Sequence, residues 1–295
     1  MVKNKSFSLK GVLSLLMGCV AFSACSSSND DMEVIPENKD LLHISVMQED
    51  NESGVLWEKG DIGLFVLGDD ASLAVTNQLL AVSGGSVANP HTNGSRYIAY
   101  APYQEAWNNA LAEQPFFEIL PDQSLLENYV ASDLIAGASD ASNSNVTNEI
   151  TLAHLLAKVV VSVVDETGNY DFKTGTSLHL LGMKNVVKVD LNALSIATVE
   201  TSFANIDMYG DEATDRRLTA MAIVAPQQKE EAEYWIKLNL GKLNYLYWQE
   251  FVLEAGKKTT IKLRFTHEGL MPGGTSVTDW ETDENGSELD TEEYQ

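Results

Sequence analysis

The side chains that could carry chemistry are scattered along this sequence. No two histidines have the i, i+4 spacing of a helical metal site, and there is no HExxH run; the five are His43, His91, His154, His179 and His267. The GxSxG, P-loop and GxGxxG motifs are also missing. We therefore predict no enzymatic activity, no cofactor and no metal site. A glycosidase pair of carboxylates has no fixed spacing, so that one catalytic alternative stays open.

Residues 281–292, ETDENGSELDTE, come closest to a metal-binding pattern. They place oxygen-bearing side chains at positions 1, 3 and 5, glycine at 6 and glutamate at 12, as in an EF-hand loop. However, Glu288 stands where that loop has an apolar residue, and no flanking helices are predicted. We predict an acidic tail over residues 281–295 and keep a calcium site there as the alternative.

Aromatic residues suggest a different kind of site, a sugar-stacking platform on a sheet surface. The candidates are Trp107, Trp235, Trp248, Tyr245 and Tyr247. In alternating strands such residues also pack in the core or pair across strands. The sequence leaves both arrangements open; the platform would make this a surface glycan- or ligand-binding protein.

The N-terminal stretch is typical of an export signal. Three lysines precede an apolar run, and residues 1–24 contain no acidic residue. The run is shorter than the roughly 20 residues that a membrane-spanning helix needs. We predict a signal peptide over residues 1–24, cleaved between Ala24 and Cys25.

Cys25 follows two small residues, and its position resembles the lipobox of bacterial lipoproteins. The resemblance implies that Cys25 is acylated, becomes the mature N-terminus and anchors the protein to a membrane. A plain signal peptide or an uncleaved anchor is the alternative. The only other cysteine, Cys19, lies within the signal, so no disulfide is expected in the mature chain. Residues 25–40 are polar and acidic and are predicted to form a flexible tether.

Charge excludes one large class of functions. The chain has 19 basic and 43 acidic residues, a formal net charge of -24. Such a charge repels nucleic acid and anionic lipid headgroups, so nucleic-acid binding is excluded. The acidity itself favours solubility at a crowded surface rather than a specific cationic partner.

A hydrophobic period of two predicts strands along most of the chain after the tether. Leu42, Ile44 and Val46, for example, alternate with more polar residues, as in a half-buried strand. Residues 158–164, KVVVSVV, are apolar on both faces and predict a central strand. Residues 152–159 also fit a helical turn, which remains an alternative.

The strand pattern predicts an all-β protein made of two sandwiches in tandem. Small polar residues over 139–148 mark the best internal boundary. We therefore expect an N-terminal β-sandwich over residues 41–148 and a C-terminal one over residues 149–280. Long amphipathic helices, which would indicate barrel or dinucleotide-binding α/β folds, are not predicted.

Short motifs along these strands resemble those of fimbrillins, the subunits of type V pili. In order they are Trp57–Phe65, Tyr97–Tyr103, Asp122–Ser124, Asp133–Ala136, His154–Val163, Ala222–Gln227, Ala255–Lys257 and Val277–Trp280. The first departs from the W-x-x-G-D-x-I-G-L-F pattern by one missing residue before the isoleucine. The order of the motifs behind a lipobox carries the resemblance.

The resemblance implies a lipoprotein of the outer membrane with two transthyretin-like β-sandwich domains. It also implies assembly with other pilus subunits by donor-strand exchange, which is a form of β-strand addition, and a role in adhesion to a host or bacterial surface. Leu42, Ile44 and Val46 would form the exchangeable first strand. Val277 and Trp280 would belong to the C-terminal partner strand.

One departure bears on the position of the subunit in a pilus. In stalk subunits of the family a protease cuts after an arginine ahead of the first strand, but here no arginine precedes Arg96. Lys39 is the only basic residue between Cys25 and Leu41. We therefore predict either an uncleaved anchor or a subunit that is processed at Lys39.

Overall fold

A computed structural model describes residues 41–48, 51–56, 59–140 and 149–280 of the 295-residue chain. The predictions for the two ends of the chain lie outside these residues. They concern the signal peptide, cleavage at Ala24 and Cys25, lipidation of Cys25, the tether, processing at Lys39, and the acidic tail with its alternative calcium site. All of them stay predictions.

Strands make up most of the described chain, and the predicted all-β class is confirmed. The first half contains β1 (Leu41–Gln48), β2 (Asn51–Leu56), β3 (Lys59–Leu67), β4 (Leu73–Ser83), β5 (Ser86–Ala88), β6 (Arg96–Ala101), β7 (Phe116–Glu118), α1 (Leu126–Ala131), β8 (Ile135–Asp140) and β9 (Glu149–His154). The second half contains β10 (Ala157–Asp165), β11 (Thr176–Lys184), β12 (Val186–Asp190), β13 (Ser195–Thr198), β14 (Phe203–Asp207), β15 (Tyr209–Ala213), β16 (Arg217–Val224), β17 (Gln227–Lys229), β18 (Ile236–Leu240), β19 (Leu243–Tyr247), β20 (Phe251–Leu253), β21 (Lys257–Thr266) and β22 (Gly269–Asp279).

The first sheet closes on itself through its first strand. Its strand order is β2-β1-β5-β4-β3-β6-β8-β9, and β1 also pairs in parallel with β9. Alternate apolar side chains of these strands point inward because successive residues of a strand face opposite sides. They form one core cluster that includes Leu42, Ile44, Val46, Ile62, Leu64, Val66, Ile150 and Leu152.

Two further sheets share a second core. The five-stranded sheet has the order β15-β16-β10-β21-β22 and the four-stranded sheet the order β14-β11-β18-β19. β10 lies at the centre of the first, antiparallel to β16 and parallel to β21. Val159, Val161 and Val163 face the shared core, and Val160 on the other face is buried as well. The predicted central strand over residues 158–164 is therefore confirmed.

A third apolar cluster joins residues from both halves of the chain. It contains Phe65 and Ile98 from the first sheet, and Val187 from β12 and Ile223 from β16. β7 and β12 also pair, in a small sheet with β13. β9 begins at Glu149, so a boundary between residues 148 and 149 separates it from the sheet to which it belongs. The tandem division itself stays a prediction.

Other parts of the structure differ from the sequence-based expectation. The helical alternative for residues 152–159 is wrong, because these residues contribute to β9 and β10. β4 has mostly exposed residues and was not expected, since its few buried positions do not produce a clear alternation. Residues 246–253, LYWQEFVL, are rich in apolar and aromatic residues but do not form one strand, because residues 246–247 belong to β19 and residues 251–253 to β20.

Candidate assembly surfaces

The predicted first strand, β1, is inserted between neighbours on both of its edges. Ile44 and Val46 are Cα partners of Ile150 and Leu152 on β9, while the other edge pairs with β5 near Leu42 and with β2 further along. The side chains of Leu42 and Ile44 are fully buried, and Val46 is almost so. Fully burying each of these side chains contributes on the order of 1.5–3 kcal/mol.

Polar contacts fix the register of β1 against β9 on the opposite face of the strand. Ser45 Oγ lies 3.0 Å from Thr151 Oγ1 and 3.3 Å from Glu149 Oε1. The backbone N–H of Ile44 donates to the carbonyl of Gly85 at 2.9 Å. A slip by one residue would place these polar groups in the core and expose the apolar ones, so the register is strongly specified.

The predicted C-terminal partner strand, β22, forms an open edge of the five-stranded sheet. Its described pairing is with β21 alone, and it continues to Asp279 with Val277 46% exposed. An edge strand of this length presents unpaired backbone groups on which another strand can add. β1 and β22 belong to different sheets, so the structure does not bring their site residues together in one place.

Trp280, at the end of β22, is buried where several of the sequence motifs meet. Its ring stacks on that of His154 with centroids 3.9 Å apart and planes 10° apart. His154 Nδ1 lies 2.9 Å from Asp133 Oδ1, so this nitrogen donates its proton to the carboxylate. The Trp280 N–H donates to the Gly256 carbonyl at 2.8 Å. These contacts hold Trp280, which directly follows the last residue of β22, against the core of the protein.

A buried glutamine joins two other motifs. Gln123 Nε2 donates to the carbonyl of Ile223 at 2.8 Å, and the Ile223 N–H donates to Gln123 Oε1 at 2.8 Å. The side-chain amide thus pairs with β16 as a neighbouring strand would, and it satisfies two buried backbone groups. The sequence suggested Gln123 only as part of a motif; this role could not be derived from spacing.

Tyr100, in the motif Tyr97–Tyr103, packs directly against Gly63 in the motif Trp57–Phe65. Its hydroxyl donates to Asn77 Oδ1 at 2.7 Å, and its ring stacks on Trp107 with centroids 4.8 Å apart. A Cβ added at Gly63 would lie 2.2 Å from the Tyr100 ring, so the ring needs glycine there. Burial raises the pKa of Tyr100 to about 12, because the phenolate would lose its solvation.

The raised pKa gives a testable dependence of stability on pH. The folded state favours the neutral phenol, so this contribution is complete below pH 10, the ordinary pKa, and is lost as the pH rises through about 12. Tyr100→Phe should lower the free energy of unfolding by about 1–3 kcal/mol at pH 8, because the buried Oδ1 of Asn77 loses the hydroxyl that donates to it. The difference from wild type should shrink above pH 10 in urea-unfolding measurements.

A matched control for this prediction is Tyr234→Phe, since Tyr234 is exposed. It should leave the free energy of unfolding at pH 8 unchanged within about 0.5 kcal/mol. If the difference in free energy of unfolding between wild type and Tyr100→Phe stays constant up to pH 12, Tyr100 is not a buried neutral phenol in the folded state.

The aromatic platform predicted as an alternative is wrong for two of its members. Trp235 is fully buried and its Nε1 donates to the Gln249 carbonyl at 2.9 Å, while Trp107 is buried in a different core cluster. Tyr245 packs edge-on against Phe265 with centroids 4.7 Å apart. These rings stabilise cores and do not form a shared stacking surface.

Two further kinds of site are absent from the described ranges. Among these residues, no helix has the length and apolar character needed to cross a membrane. Within the same ranges, histidine, cysteine and carboxylate side chains do not gather in threes that could hold a metal ion.

Comparison with solved structures shows similarity to candidate cell adhesion proteins of Bacteroides. The one from Bacteroides uniformis has a TM-score of 0.60 at 15% identity, over 82% of this chain and 99% of that one. The one from Bacteroides ovatus has a TM-score of 0.64 at 15% identity, over 82% and 98%. A third, from Bacteroides thetaiotaomicron, has a TM-score of 0.51 at 13% identity, over 81% and 99%. At these identities the similarity establishes a shared fold.

Comparison with curated protein sequences gives no match. The sequence profile of the fimbrillin-like family, in contrast, matches residues 54–280, which is most of the chain and runs from β2 to Trp280. The predicted resemblance to fimbrillins is thereby confirmed, and the chain belongs to the fimbrillin-like family.

Proposed function

We propose that this protein is a cell-surface lipoprotein that acts as a structural, anchoring subunit of type V pili. It joins other pilus subunits by β-strand addition and contributes to adhesion. Membership of the fimbrillin-like family supports the general role. The observation that carries the proposal is the position of β1, which completes the first sheet with alternate side chains buried.

β1 has the two features that strand exchange requires. Its backbone pairs along both edges, and Leu42, Ile44 and Val46 pack in the apolar core of the first sheet. In β-strand addition, main-chain hydrogen bonds supply affinity and alternate side chains supply specificity. A neighbour's strand with the same pattern of apolar residues would restore both if β1 were withdrawn.

β22 is the complementary element in this proposal. It is an edge strand of the five-stranded sheet and the last strand described, and Val277 is exposed near its end. In an anchor that keeps β1 in place, the groove of the first sheet stays filled, and we assign the contact with a neighbouring subunit to the edge strand β22. Trp280 holds the end of β22 against His154 while that edge stays open.

The sequence supports attachment through lipid at the outer membrane. Acylation at Cys25 would anchor the chain without a spanning segment. Because Lys39 is the only basic residue between Cys25 and Leu41, processing by a trypsin-like protease has one possible position. An uncut chain keeps its lipid attached to the fold, which suits the base of a pilus rather than its shaft.

Mass spectrometry of the mature protein from cell envelopes tests this attachment. We expect an N-terminal peptide that begins at Cys25 and carries acyl chains, and a Cys25→Ala variant should be lost from the membrane fraction. A terminus at Asp40 would instead support processing at Lys39. An unlipidated chain with any other terminus would contradict both forms of the proposal.

A further inference from the structure

The outer face of the five-stranded sheet carries a group of basic side chains, although the chain as a whole is strongly acidic. Ile261, Leu263 and Phe265 of β21 face the core, so the residues that alternate with them face outward. The same alternation and the Cα pairing place outward-facing residues of β10 and β16 beside them. The basic residues of this outer side, which we call the basic face, are Lys158, Arg217, Lys258, Lys262 and Arg264.

Strand pairing brings these five residues together. Lys158 is the Cα partner of Lys258, and Val164 is the partner of both Arg217 and Arg264. Paired residues of neighbouring strands lie about 5 Å apart and point to the same side of the sheet. Like charges at such distances repel one another, so anionic groups that settle on the basic face stabilise it.

The carboxylates that border the basic face lie toward one end of it. Glu166 Oε2 lies 3.4 Å from Arg264 Nη1, and Glu212 on β15 is the Cα partner of Thr219 on β16. Both are closer to the end of the sheet with the two arginines. Lys158 and Lys258 lie at the opposite end, where Lys258 is the Cα partner of Thr278 near the end of β22.

The chain leaves β22 at this lysine end and on the outer side of the sheet. Lys158 Nζ lies 6.0 Å from the centroid of the Trp280 ring. Trp280 also belongs to the apolar cluster that contains Ile223, the outward-facing Cα partner of Lys158. The residues that follow Trp280 therefore start next to the basic face.

Residues 281–295, the predicted acidic tail, have the charge that this face requires. They contain seven acidic residues and no basic residue. Arg264 lies about 20 Å from Lys258 along β21, at roughly 3.3 Å per residue. An extended segment of the length of the tail reaches about 50 Å, so it can pass along the whole basic face.

We propose that the acidic tail docks on the basic face of its own chain, from Lys158 and Lys258 toward Arg264, with its carboxylates against the basic side chains. Because the tail is part of the same chain, its local concentration at the face is in the millimolar range, and weak ion pairs suffice to hold it. The docked tail masks the basic face from acidic proteins and other polyanions. This contact is independent of strand exchange, since it lies on the face of the sheet and leaves the edge of β22 open.

Carbodiimide cross-linking of the full chain in dilute solution, followed by mass spectrometry, tests this contact. The reagent joins a lysine Nζ to a carboxylate that touches it. We expect tail carboxylates to be joined to Lys258 and Lys262 at least about tenfold more often than to Lys188, because the basic face concentrates the tail. Lys188 is the matched lysine, since it is exposed on β12 in another sheet. The yield should fall in 1 M salt, where the Debye length is about 3 Å.

Charge reversal separates docking from mere proximity. The double substitution Lys262→Glu with Arg264→Glu changes two exposed residues and keeps Lys258 as the cross-linking site. It should lower the yield at Lys258 at least about fivefold, because the tail loses several ion pairs at once. Lys188→Glu with Lys242→Glu is the matched control, since it alters the net charge equally at exposed positions elsewhere, and it should leave the yield unchanged.

Digestion by a glutamate-specific protease is a second measurement, independent of the cross-linking chemistry. Cleavage in the tail should be slow in the wild type and in the control variant and at least about fivefold faster in Lys262→Glu with Arg264→Glu. Equal yields at Lys258, Lys262 and Lys188, or a yield and a cleavage rate that the reversal on the basic face leaves unchanged, would overturn the proposal. Cross-links between the tail and the basic face that form only between two chains would assign the face to a second copy and also overturn it.

Discussion

Ile44→Asp is expected to lower the free energy of unfolding by about 4 kcal/mol or more. Ile44 is fully buried in the middle of β1, between Ile150 and the other apolar residues of the first sheet. The substitution removes an aliphatic side chain, worth roughly 2–5 kcal/mol on truncation, and adds a carboxylate with no partner in an apolar cluster. β1 should leave the sheet, which opens the groove beside β9.

His43→Asp is the control, because His43 lies on the same strand with its side chain exposed. It should change stability by no more than about 0.5 kcal/mol. Urea unfolding gives both values. A synthetic peptide with the sequence LLHISVMQ should bind Ile44→Asp, raise its melting temperature and have no effect on wild type. Equal stability of the two variants, or no effect of the peptide on either, would show that β1 is not an exchangeable part of the sheet.

Gly137→Ala should be nearly as disruptive, although it adds only one methyl group. A Cβ at this position would lie 2.0 Å from the backbone oxygen of Thr151 and 2.8 Å from its carbonyl carbon. Because the obstacle is backbone, β8 and β9 must move apart, at a cost of about 3 kcal/mol. Thr151 is also the Cα partner of Ser45 on β1, so a displacement of β9 should weaken the pairing of β1 with β9 as well.

Gly210→Ala is the matched control. Gly210 also lies in a strand, β15, but an added Cβ there would have no atom within 4 Å. Thermal and urea unfolding of the two variants should therefore differ by several kcal/mol. A Gly137→Ala protein as stable as Gly210→Ala would contradict the close approach of β8 and β9.

The sequence predicted those parts of the fold in which burial alternates strictly. β1 and β21 have alternate apolar residues facing a core, and β10 is almost wholly buried, so each produced a clear pattern. β4 did not, since most of its residues are exposed and Asn77 has a positive φ of 41°. A local pattern reports burial, and it fails where a strand is held mainly by its backbone.

The pairing of strands that lie far apart in the sequence could not be predicted, for a different reason. The parallel pairing of β1 with β9 joins residues more than 100 positions apart, as in the contact of Ser45 with Thr151. Nothing in either segment specifies the other. The same holds for β7 with β12, which bridges the two predicted domains.

The candidate surfaces were predicted only in part. Alternation correctly placed Leu42, Ile44 and Val46 in a strand with buried side chains. The assignment of Val277 to a C-terminal strand came from the family resemblance, and its exposure on the edge strand β22 was not predicted. The stacking of Trp280 on His154 was not predicted, although both residues belong to motifs.

The measurement that tests the proposed role most directly is photo-crosslinking in cells at Val277. A photoreactive residue there lies on the open edge of β22, with 46% of the valine side chain exposed. The matched position is Val164, which is 36% exposed but lies on β10, between β16 and β21. We predict that irradiation links Val277, and not Val164, to another pilus subunit. Equal yields at the two positions, or no pilus subunit among the products at Val277, would contradict assembly through the β22 edge.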